Sequence, residues 1–366
     1  MKVAYMIGAL ERGGTETLLL DTIRQATPEG LDCILIYRKG GAMLSEFIQT
    51  GIVIEHLPIQ HRIDILYVFR LRRMLLSHRV QIIHAQTPFD AFLAYWAVIG
   101  TQISLVLSFH GYDFGWSWFA HRMLKFIVKR TDVNIYVSNH LRNYYVVAYS
   151  LSCFDKQKVI YNGINFEKLD VSHSNTFREE LGISPPELLM GCIGNFVAVR
   201  DQLTICRFLD KLQKSTIDFR FVFVGSRNSS NSLYDDCVKF CRENGLLNRV
   251  YFVGSRHDVP RILKNLDAFV YASNHDSFGI AVVEAMAAGV PVFVNDWPVM
   301  QEITEGGGAY LYRTKDSDDL LEKIVPFCQN KLSYLDKAKK NASLVKNKYS
   351  IHHHVCQVIH LYKSIV

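Results

Sequence analysis

Residues 271–292 read YASNHDSFGIAVVEAMAAGVPV and place a strand, a polar loop and a helix in direct succession. The apolar run that ends at Tyr271 predicts a buried strand, and the loop behind it carries Asp276. A helix is expected to begin near residues 277–279 and to end at Gly289-Val290-Pro291. Ligands of parallel sheets bind at the carboxyl ends of strands, and a helix N-terminus offers free N–H groups to phosphate. The segment therefore predicts an anion site.

The same segment carries two carboxylates that could accept hydrogen bonds from a ligand. Glu284 lies two helical turns beyond Asp276, so it could reach a sugar or ribose hydroxyl. Gly279 would allow the backbone to approach a ligand closely. On these residues alone a simpler interpretation stays open, in which Asp276 caps the helix and Glu284 lies on the helix surface.

The strand–helix alternation extends outward from this segment in both directions, which predicts parallel sheets with helices on both faces. The expected strands are 3–7, 33–37, 53–57, 82–84, 104–109, 134–137, 159–160, 188–193, 220–224, 250–253, 268–271 and 290–294. The expected helices include 16–25, 64–78, 116–130, 201–213, 232–243, 260–265 and 278–288, and two tail helices with a kink near Tyr349-Ser350.

Length and composition indicate a two-domain globular protein. The chain has 366 residues, of which 49% are hydrophobic, and this is too long for one ordinary core. A polar segment, 165–186, containing Pro185-Pro186, is expected to link the domains. The predicted boundaries are 1–165, with 350–366 added to it, for the first domain and 186–348 for the second.

The charge pattern argues against nucleic acid as a partner. The net charge of +6 is mild, most of the excess lies before residue 165, and no nucleic-acid-binding motif is present. Such a weak bias suits an anionic membrane surface or a phosphate-bearing substrate. Residues 67–76 and 116–130 mix bulky apolar residues with cations, so weak contact with a membrane surface is expected, although these helices could simply cover the sheet.

Other features indicate a reducing compartment and no metal. The eight cysteines form no CxxC pair, and the N-terminus predicts a strand, not a signal peptide. No run approaches the length of a membrane span, so the expected location is the cytoplasm, with possible attachment to the inner face of the membrane. His352, His353 and His354 are adjacent and so point in different directions, and no acid pair typical of magnesium binding ends a strand. Neither a metal nor a cofactor is expected.

Residues 271–292 resemble the signature of GT-B glycosyltransferases, specifically the retaining family 4 (glycosyl transferases group 1), in which two carboxylates stand eight positions apart. That family has Glu at the first position, where this chain has the shorter Asp276. The resemblance implies that Asp276 faces the donor sugar and that Glu284 holds the nucleotide ribose. It also implies that the backbone of four consecutive residues meets the diphosphate, namely Ser277, Phe278, Gly279 and Ile280.

Two segments of the first domain resemble the same family. GGTE at 13–16 is similar to the family's glycine loop, which implies that Gly13, Gly14 and Thr15 approach the acceptor and that Gly14 also approaches the donor. SFHGYD at 108–113 is similar to a strand-end element whose histidine, here His110, faces the donor sugar. Without the resemblance, a plain turn and a structural histidine would account for both segments.

The start of the second domain departs from the family pattern. The family has an arginine and a lysine that neutralise the donor diphosphate, where this chain has Asn195 and Arg200. One cation is lost, but Arg200 can still bind phosphate through two nitrogens. A solvated surface arginine is the alternative for Arg200. Arg256 lies in a turn, 253–260, that resembles the one whose backbone contacts the nucleotide base.

The resemblance covers nearly the whole chain and implies two Rossmann-like domains with a cleft between them, the last helix crossing back to the first domain. It implies a retaining, metal-independent glycosyltransferase with His110, Asp276 and Glu284 as catalytic residues. A UDP- or GDP-sugar is the expected donor and a saccharide or lipid-linked molecule the acceptor, in bacterial surface polysaccharide or glycolipid assembly.

Three other functions are alternatives. A sugar-nucleotide epimerase or phosphorylase of the same fold would need the same donor site. A non-catalytic nucleotide-sugar-binding protein would fit the departures at Asn195 and Asp276. A dinucleotide-dependent oxidoreductase is disfavoured, because residues 8–13 lack the GxGxxG pattern.

Overall fold

The structure is a computed structural model that describes residues 1–61, 64–169, 176–184 and 187–366. The chain divides into two compact units, one formed by Met1–Asn165 with Tyr349–Val366 and the other by Phe166–Lys348. Among the helices in these described ranges, none has the length and apolarity needed to cross a membrane.

The first unit is built on a seven-stranded parallel sheet of order β3-β2-β1-β4-β5-β6-β7. Its strands are β1 (Lys2–Ala9), β2 (Asp32–Lys39), β3 (Val53–His56), β4 (Ile82–Ala85), β5 (Ser104–Phe109), β6 (Val133–Tyr136) and β7 (Gln157–Val159). Its connecting helices are α1 (Gly14–Ala26), α2 (Leu44–Ile48), α3 (Ile65–Ser77), α4 (Pro88–Val98), α5 (Trp118–Ile127) and α6 (Asn139–Tyr149). The strand order reverses between β1 and β4, the place where such sheets bind ligands.

The second unit is built on a six-stranded parallel sheet of order β10-β9-β8-β11-β12-β13. Its strands are β8 (Leu188–Ile193), β9 (Phe219–Val224), β10 (Val250–Phe252), β11 (Ala268–Tyr271), β12 (Val292–Asn295) and β13 (Tyr310–Tyr312). Its helices are α7 (Thr176–Glu180), α8 (Gln202–Leu212), α9 (Leu233–Glu243), α10 (Val259–Asn265), α11 (Ile280–Ala287), α12 (Pro298–Thr304), α13 (Ser317–Gln329) and α14 (Lys331–Tyr349). The order reverses between β8 and β11.

The predicted α/β class is confirmed, because the central strands are apolar runs buried on both faces. Every residue of β8, β11 and β12 is buried. β13 escaped prediction because it has only three residues, of which two are partly buried. α13 also escaped prediction, although Asp316 caps it by accepting from the amides of Asp318 and Asp319.

The tail forms two helices, α14 and α15 (Ile351–Lys363), and the predicted break at Ser350 is confirmed. The Ser350 hydroxyl caps α15 by accepting from the His353 amide at 3.1 Å. α15 packs against α1 and contributes Val355 and Tyr362 to the core of the first unit. The last helix therefore returns to the first unit, as expected.

The segment expected to be a linker is partly folded into the second unit. Phe177 of α7 is fully buried, and the Arg178 guanidinium bonds to the Asp267 carboxylate at 2.5 Å. A single Phe-Arg pair in a polar run gives no periodic signal, which is why the helix was overlooked. Residues 170–175 and the expected helix-breaking pair Pro185-Pro186 lie outside the described residues.

Candidate functional site

The loop after β11 is held in place by hydrogen bonds from neighbouring strands. Asn295, at the end of β12, accepts from the Ser273 amide at 2.9 Å and donates to the Ser273 carbonyl at 2.8 Å. The Trp297 indole donates to the Asp276 carbonyl at 3.1 Å. These bonds fix the backbone from which the Asp276 side chain projects.

Gly279 sets the direction in which α11 begins. Its φ of 86° is left-handed, and a Cβ atom there would lie 2.9 Å from the terminal carbon of Met300. Only glycine meets both conditions without strain. The first-turn amides of α11 therefore open toward the Asp276 loop, where an anion can bind. Phe278 is buried, and its amide donates to the Asp276 carboxylate at 3.5 Å.

Arg200 and Asp276 form an ion pair in the second unit, and both side chains are mostly shielded from solvent. The Tyr271 hydroxyl donates to the same Asp276 oxygen at 2.5 Å, and the Arg200 guanidinium lies 4.7 Å from the centre of the Tyr271 ring. The structure thus brings the predicted phosphate-binding cation and the predicted sugar-binding acid together. Sequence reasoning assigned them separate tasks and missed their contact.

Asn195 links two loops at the carboxyl edge of the sheet. Its side-chain oxygen accepts from the Ser226 amide at 2.9 Å, which ties the loop after β8 to the loop after β9. An arginine has no acceptor atom and could not make this bond. The substitution therefore exchanges a cation for a hydrogen bond that stabilises the loops.

Glu284 lies half-buried on α11, one face of which packs on the sheet. Burial raises the pKa of this carboxyl to about 7, and the charge of Lys168 partly opposes the shift. Among the described residues no group hydrogen-bonds to this carboxylate. It can therefore gain from a ligand that donates hydroxyl hydrogens to it.

Arg256 lies in a cluster of ionic contacts that holds α7 to the second unit. Its guanidinium bonds to Glu180 at 2.6 Å and to Asp258 at 2.9 Å, and Arg261 bonds to both acids as well. The hydrogen bond from Arg256 holds the pKa of Asp258 well below its usual range. These contacts give Arg256 a structural task, and its expected contact with the donor stays a prediction.

The glycine loop of the first unit caps α1. Gly13 is the N-cap in an extended conformation, and Gly14 begins the helix. A Cβ atom on Gly13 would lie 2.5 Å from a carboxylate oxygen of Glu16, so this acid folds back over the loop. Burial raises the pKa of Glu16 above its ordinary value.

His110 follows β5 and is a neutral imidazole at pH 7, because burial lowers its pKa to about 4. It is hydrogen-bonded through Nε2 to the Gln86 side-chain oxygen at 3.0 Å. Nearby, His84 is bonded to the Tyr362 hydroxyl at 2.5 Å and to the Ser108 hydroxyl at 2.7 Å. Sequence reasoning missed Gln86 and His84, although both lie at the carboxyl end of a strand as His110 does.

A cavity of about 640 Å³ in the first unit brings several of these groups together. Thr15 and His110 both line it, whereas Gly13 and Gly14 are not among its lining residues. Its walls further include Glu16, Gln86, Phe89, Trp116, Phe119 and Met123.

Family models match both halves of the chain. Residues 12–168 match Glycosyltransferase Family 4, and residues 173–349 match Glycosyl transferases group 1. Among solved structures, Anabaena Alr3699/HepE in complex with UDP and glucose is similar over the whole of both chains, with a TM-score of 0.87 and 20% identity. The lipopolysaccharide glycosyltransferase WaaG is similar over 98% of this chain and 99% of its own, with a TM-score of 0.74 and 13% identity.

Curated relatives match at low identity. The lipopolysaccharide core biosynthesis mannosyltransferase LpsB of Rhizobium meliloti is 28% identical over 211 residues, which cover 56% of this chain and 55% of LpsB. The O-antigen biosynthesis glycosyltransferase WclY of Escherichia coli is 19% identical over 321 residues, covering 83% and 82% of the two chains. The first of these matches spans about half the length of the relative.

The two parallel sheets and the likeness to these structures define the GT-B class of fold. Within that class, the chain belongs to the glycosyl transferases group 1 family.

Proposed function

We propose that this protein is a retaining glycosyltransferase that moves a sugar from a nucleotide-sugar donor to a saccharide or lipid-linked acceptor. One observation carries the proposal. A single segment, held in place by hydrogen bonds, contains Asp276, the N-terminus of α11 and Glu284, and Arg200 forms an ion pair with Asp276. The relatives named for lipopolysaccharide core and O-antigen biosynthesis support a role in bacterial surface polysaccharide or glycolipid assembly.

The second unit supplies the donor side of the proposal. The first-turn amides of α11 and the Arg200 guanidinium bind the diphosphate, and Glu284 accepts hydrogen bonds from the ribose. A diphosphate offers Arg200 more negative charge than Asp276 does, so donor binding draws the guanidinium away and leaves Asp276 for the sugar hydroxyls. This charge compensation needs no metal ion. UDP and GDP sugars are the proposed donors, and UDP is the nucleotide in the HepE complex.

The first unit supplies the acceptor side. Gly13, Gly14 and Thr15 lie at the start of α1, where amides can bind acceptor oxygens. His110 is neutral, so it acts on the donor sugar by hydrogen bonding and not as a cation. Catalysis then consists of positioning two substrates and stabilising the leaving diphosphate.

Ligand-dependent melting tests the donor assignment. UDP or GDP, and the matching sugar nucleotide, should raise the melting temperature of the protein, because a ligand of the native state at about 100 times its Kd stabilises by about 2.7 kcal/mol. ADP and CMP, tested at the same concentrations, serve as controls. Equal melting temperatures with all four nucleotides would contradict the proposed donor site.

A non-catalytic nucleotide-sugar-binding protein is the second candidate. It is favoured by the Arg200–Asp276 pair, which satisfies both charges without a ligand, and by Asn195, which is committed to the Ser226 amide. Release of nucleoside diphosphate from a bound donor separates the two functions, because a binding protein leaves the sugar–phosphate bond intact.

The first unit also presents a surface suited to anionic lipid. α4 packs against both α3 and α5, and all three helices expose apolar side chains. The exposed large apolar side chains are Ile65, Leu66, Phe69, Leu76, Phe89, Trp96, Trp118 and Phe119. The inward faces of α3 and α5 are already filled by Tyr67, Leu71, Leu75, Leu124 and Ile127, so covering the sheet does not account for the exposed set.

Cations border this apolar surface. Arg73, Arg122, Lys125 and Lys129 are exposed on α3 and α5 or just beyond, whereas Arg72 bonds to carbonyls at the end of α4. Each cation near an anionic membrane contributes about 1 kcal/mol, and tryptophan suits the headgroup boundary. We therefore place peripheral contact with the inner face of the membrane on α3, α4 and α5.

Vesicle co-sedimentation checks this contact. The protein should pellet with anionic vesicles at low salt, less at high salt, and little with neutral vesicles. Trp118→Ser/Phe119→Ser should reduce pelleting, whereas Leu332→Ser, an equally exposed change in the second unit, should not. Failure to pellet with either vesicle type at low salt would refute the membrane contact.

A further inference from the structure

Two chemically different groups of side chains line the 640 Å³ cavity of the first unit, and we call them its polar end and its apolar end. Polar side chains from strand ends and the start of α1 form one end, where Glu16, Gln86 and His110 lie. Large apolar side chains from the start of α4, the loop after β5, and α5 form the other end, namely Phe89, Trp116, Phe119 and Met123.

The polar end holds groups that a ligand oxygen or hydroxyl can satisfy. Gln86 is 6% exposed, and its oxygen is engaged by His110. Its buried amide nitrogen has no partner among the described residues, which is costly unless a ligand oxygen accepts from it. The partly buried Glu16 carboxylate lies on the same cavity and can accept from a hydroxyl.

The backbone that carries the apolar end is anchored before a ligand arrives. The loop between β5 and α5 is anchored by Asp113, which is buried and accepts from the Tyr144 hydroxyl at 2.6 Å and from the Tyr149 hydroxyl. His121 of α5 bonds to the same carboxylate at 3.1 Å. The backbone that carries Trp116 and Phe119 is therefore held in place, and the Phe119 side chain, which is 70% exposed, gains little from the core.

We infer that this cavity binds an amphipathic acceptor, with its polar group against Gln86, Glu16 and His110 and a hydrocarbon chain along Phe89, Trp116, Phe119 and Met123. The inference rests on the proposed function and chooses, between its two acceptor classes, the one that carries a lipid chain. A bare saccharide would satisfy the polar end and leave the aliphatic Met123 and the aromatic wall in water, whereas a hydrocarbon chain buries them. The volume suits a ligand of drug-like size, for which pockets measure roughly 300–1,000 Å³.

The surroundings of the apolar end also support an acceptor that carries a hydrocarbon chain. Trp118, next to Phe119, is 72% exposed, and the Arg122 guanidinium lies 4.9 Å from the centre of the Trp118 ring. The cavity wall thus continues into the surface assigned to anionic lipid, so a chain leaving the cavity would meet apolar and cationic groups.

Alkyl β-D-glucosides of increasing chain length, from methyl to octyl and kept below their micelle concentrations, are the probe. Isothermal titration with the full chain should give one saturable site whose Kd falls about threefold to fourfold for each added methylene. Phe119→Ser should flatten this dependence, and Gln86→Leu should weaken all glucosides alike and leave the slope unchanged. Phe154→Ser, which removes an exposed phenyl ring elsewhere in the first unit, is the matched control and should behave as wild type.

Equal affinity for methyl and octyl glucoside would overturn the inference and indicate a saccharide acceptor. A chain-length dependence that survives Phe119→Ser unchanged would overturn it as well, because the chain would then bind elsewhere. Nucleotide melting shifts measured on the same samples separate the two proposals. Shifts with UDP or GDP but no chain-length dependence refute this inference alone, whereas chain-length dependence without any nucleotide shift refutes the proposed function.

Discussion

Glu284→Gln is expected to abolish sugar transfer and to leave the protein folded. The amide keeps the size of the side chain but removes the charge that would hold the ribose, so kcat/KM should fall by about two orders of magnitude or more. Burial already raises the pKa of this carboxyl to about 7, so a neutral side chain suits its surroundings and the melting temperature should not fall. Steady-state kinetics and thermal melting measure the two effects.

The same carboxyl predicts a pH dependence. Its folded-state pKa lies above the ordinary value of 4.5, so its contribution to stability decreases as pH rises from about 4.5 to about 7. Donor affinity should change in the opposite direction and weaken below pH 7, since the protonated acid loses its charge. This pH dependence should be absent in Glu284→Gln. It should be present in Glu322→Gln, which changes an exposed acid on α13. Near-normal turnover of Glu284→Gln would show that this acid does not hold the donor.

Arg200→Ala is expected to weaken nucleoside diphosphate binding and to slow turnover by about two orders of magnitude or more. The change removes the side chain proposed to neutralise the diphosphate, and it leaves Asp276 with hydrogen bonds from the Tyr271 hydroxyl and the Phe278 amide. Calorimetric titration with UDP and GDP measures the binding, and Arg227→Ala, a solvent-exposed arginine of the same unit, is the matched control.

Asp276→Asn separates two tasks that Arg200 could have. If Arg200 binds phosphate, Asp276→Asn frees it and diphosphate binding should be kept or strengthened while transfer falls. If Arg200 only orients Asp276, both variants should bind UDP and GDP as wild type does, which would contradict the phosphate assignment. Strict dependence of transfer on magnesium would also count against charge compensation by Arg200 and α11.

The fold was predictable because its central strands are apolar on both faces and alternate with helices. β5, β8 and β11 begin and end at the expected residues. Elements that lack such a pattern were missed, as β13 and α7 show. β13 has only three residues and α7 buries only one phenylalanine, so neither shows a hydrophobic periodicity. Their positions are set by tertiary contacts such as the bond between Arg178 and Asp267.

For the candidate site, the sequence predicted which residues lie at the ends of strands but not which side chains contact one another. The Arg200–Asp276 pair joins residues 76 positions apart, and no local pattern reports such a contact. The same holds for Arg256, which bonds to Glu180 of α7. Asn195 departs from the family pattern in the sequence, but its bond to the Ser226 amide explains the departure only once β8 and β9 are seen side by side.

Proton NMR of the anomeric signals during turnover tests the central claim most directly. The full chain is incubated with α-linked UDP- and GDP-sugars and alkyl glucoside or membrane-extracted acceptors. One donor should be consumed, the nucleoside diphosphate should be released, and the new glycosidic bond should be α-linked like the donor. Glu284→Gln should leave the donor signal unchanged. A β-linked product would contradict retention, and persistence of every donor signal with every acceptor would contradict the assignment as a glycosyltransferase.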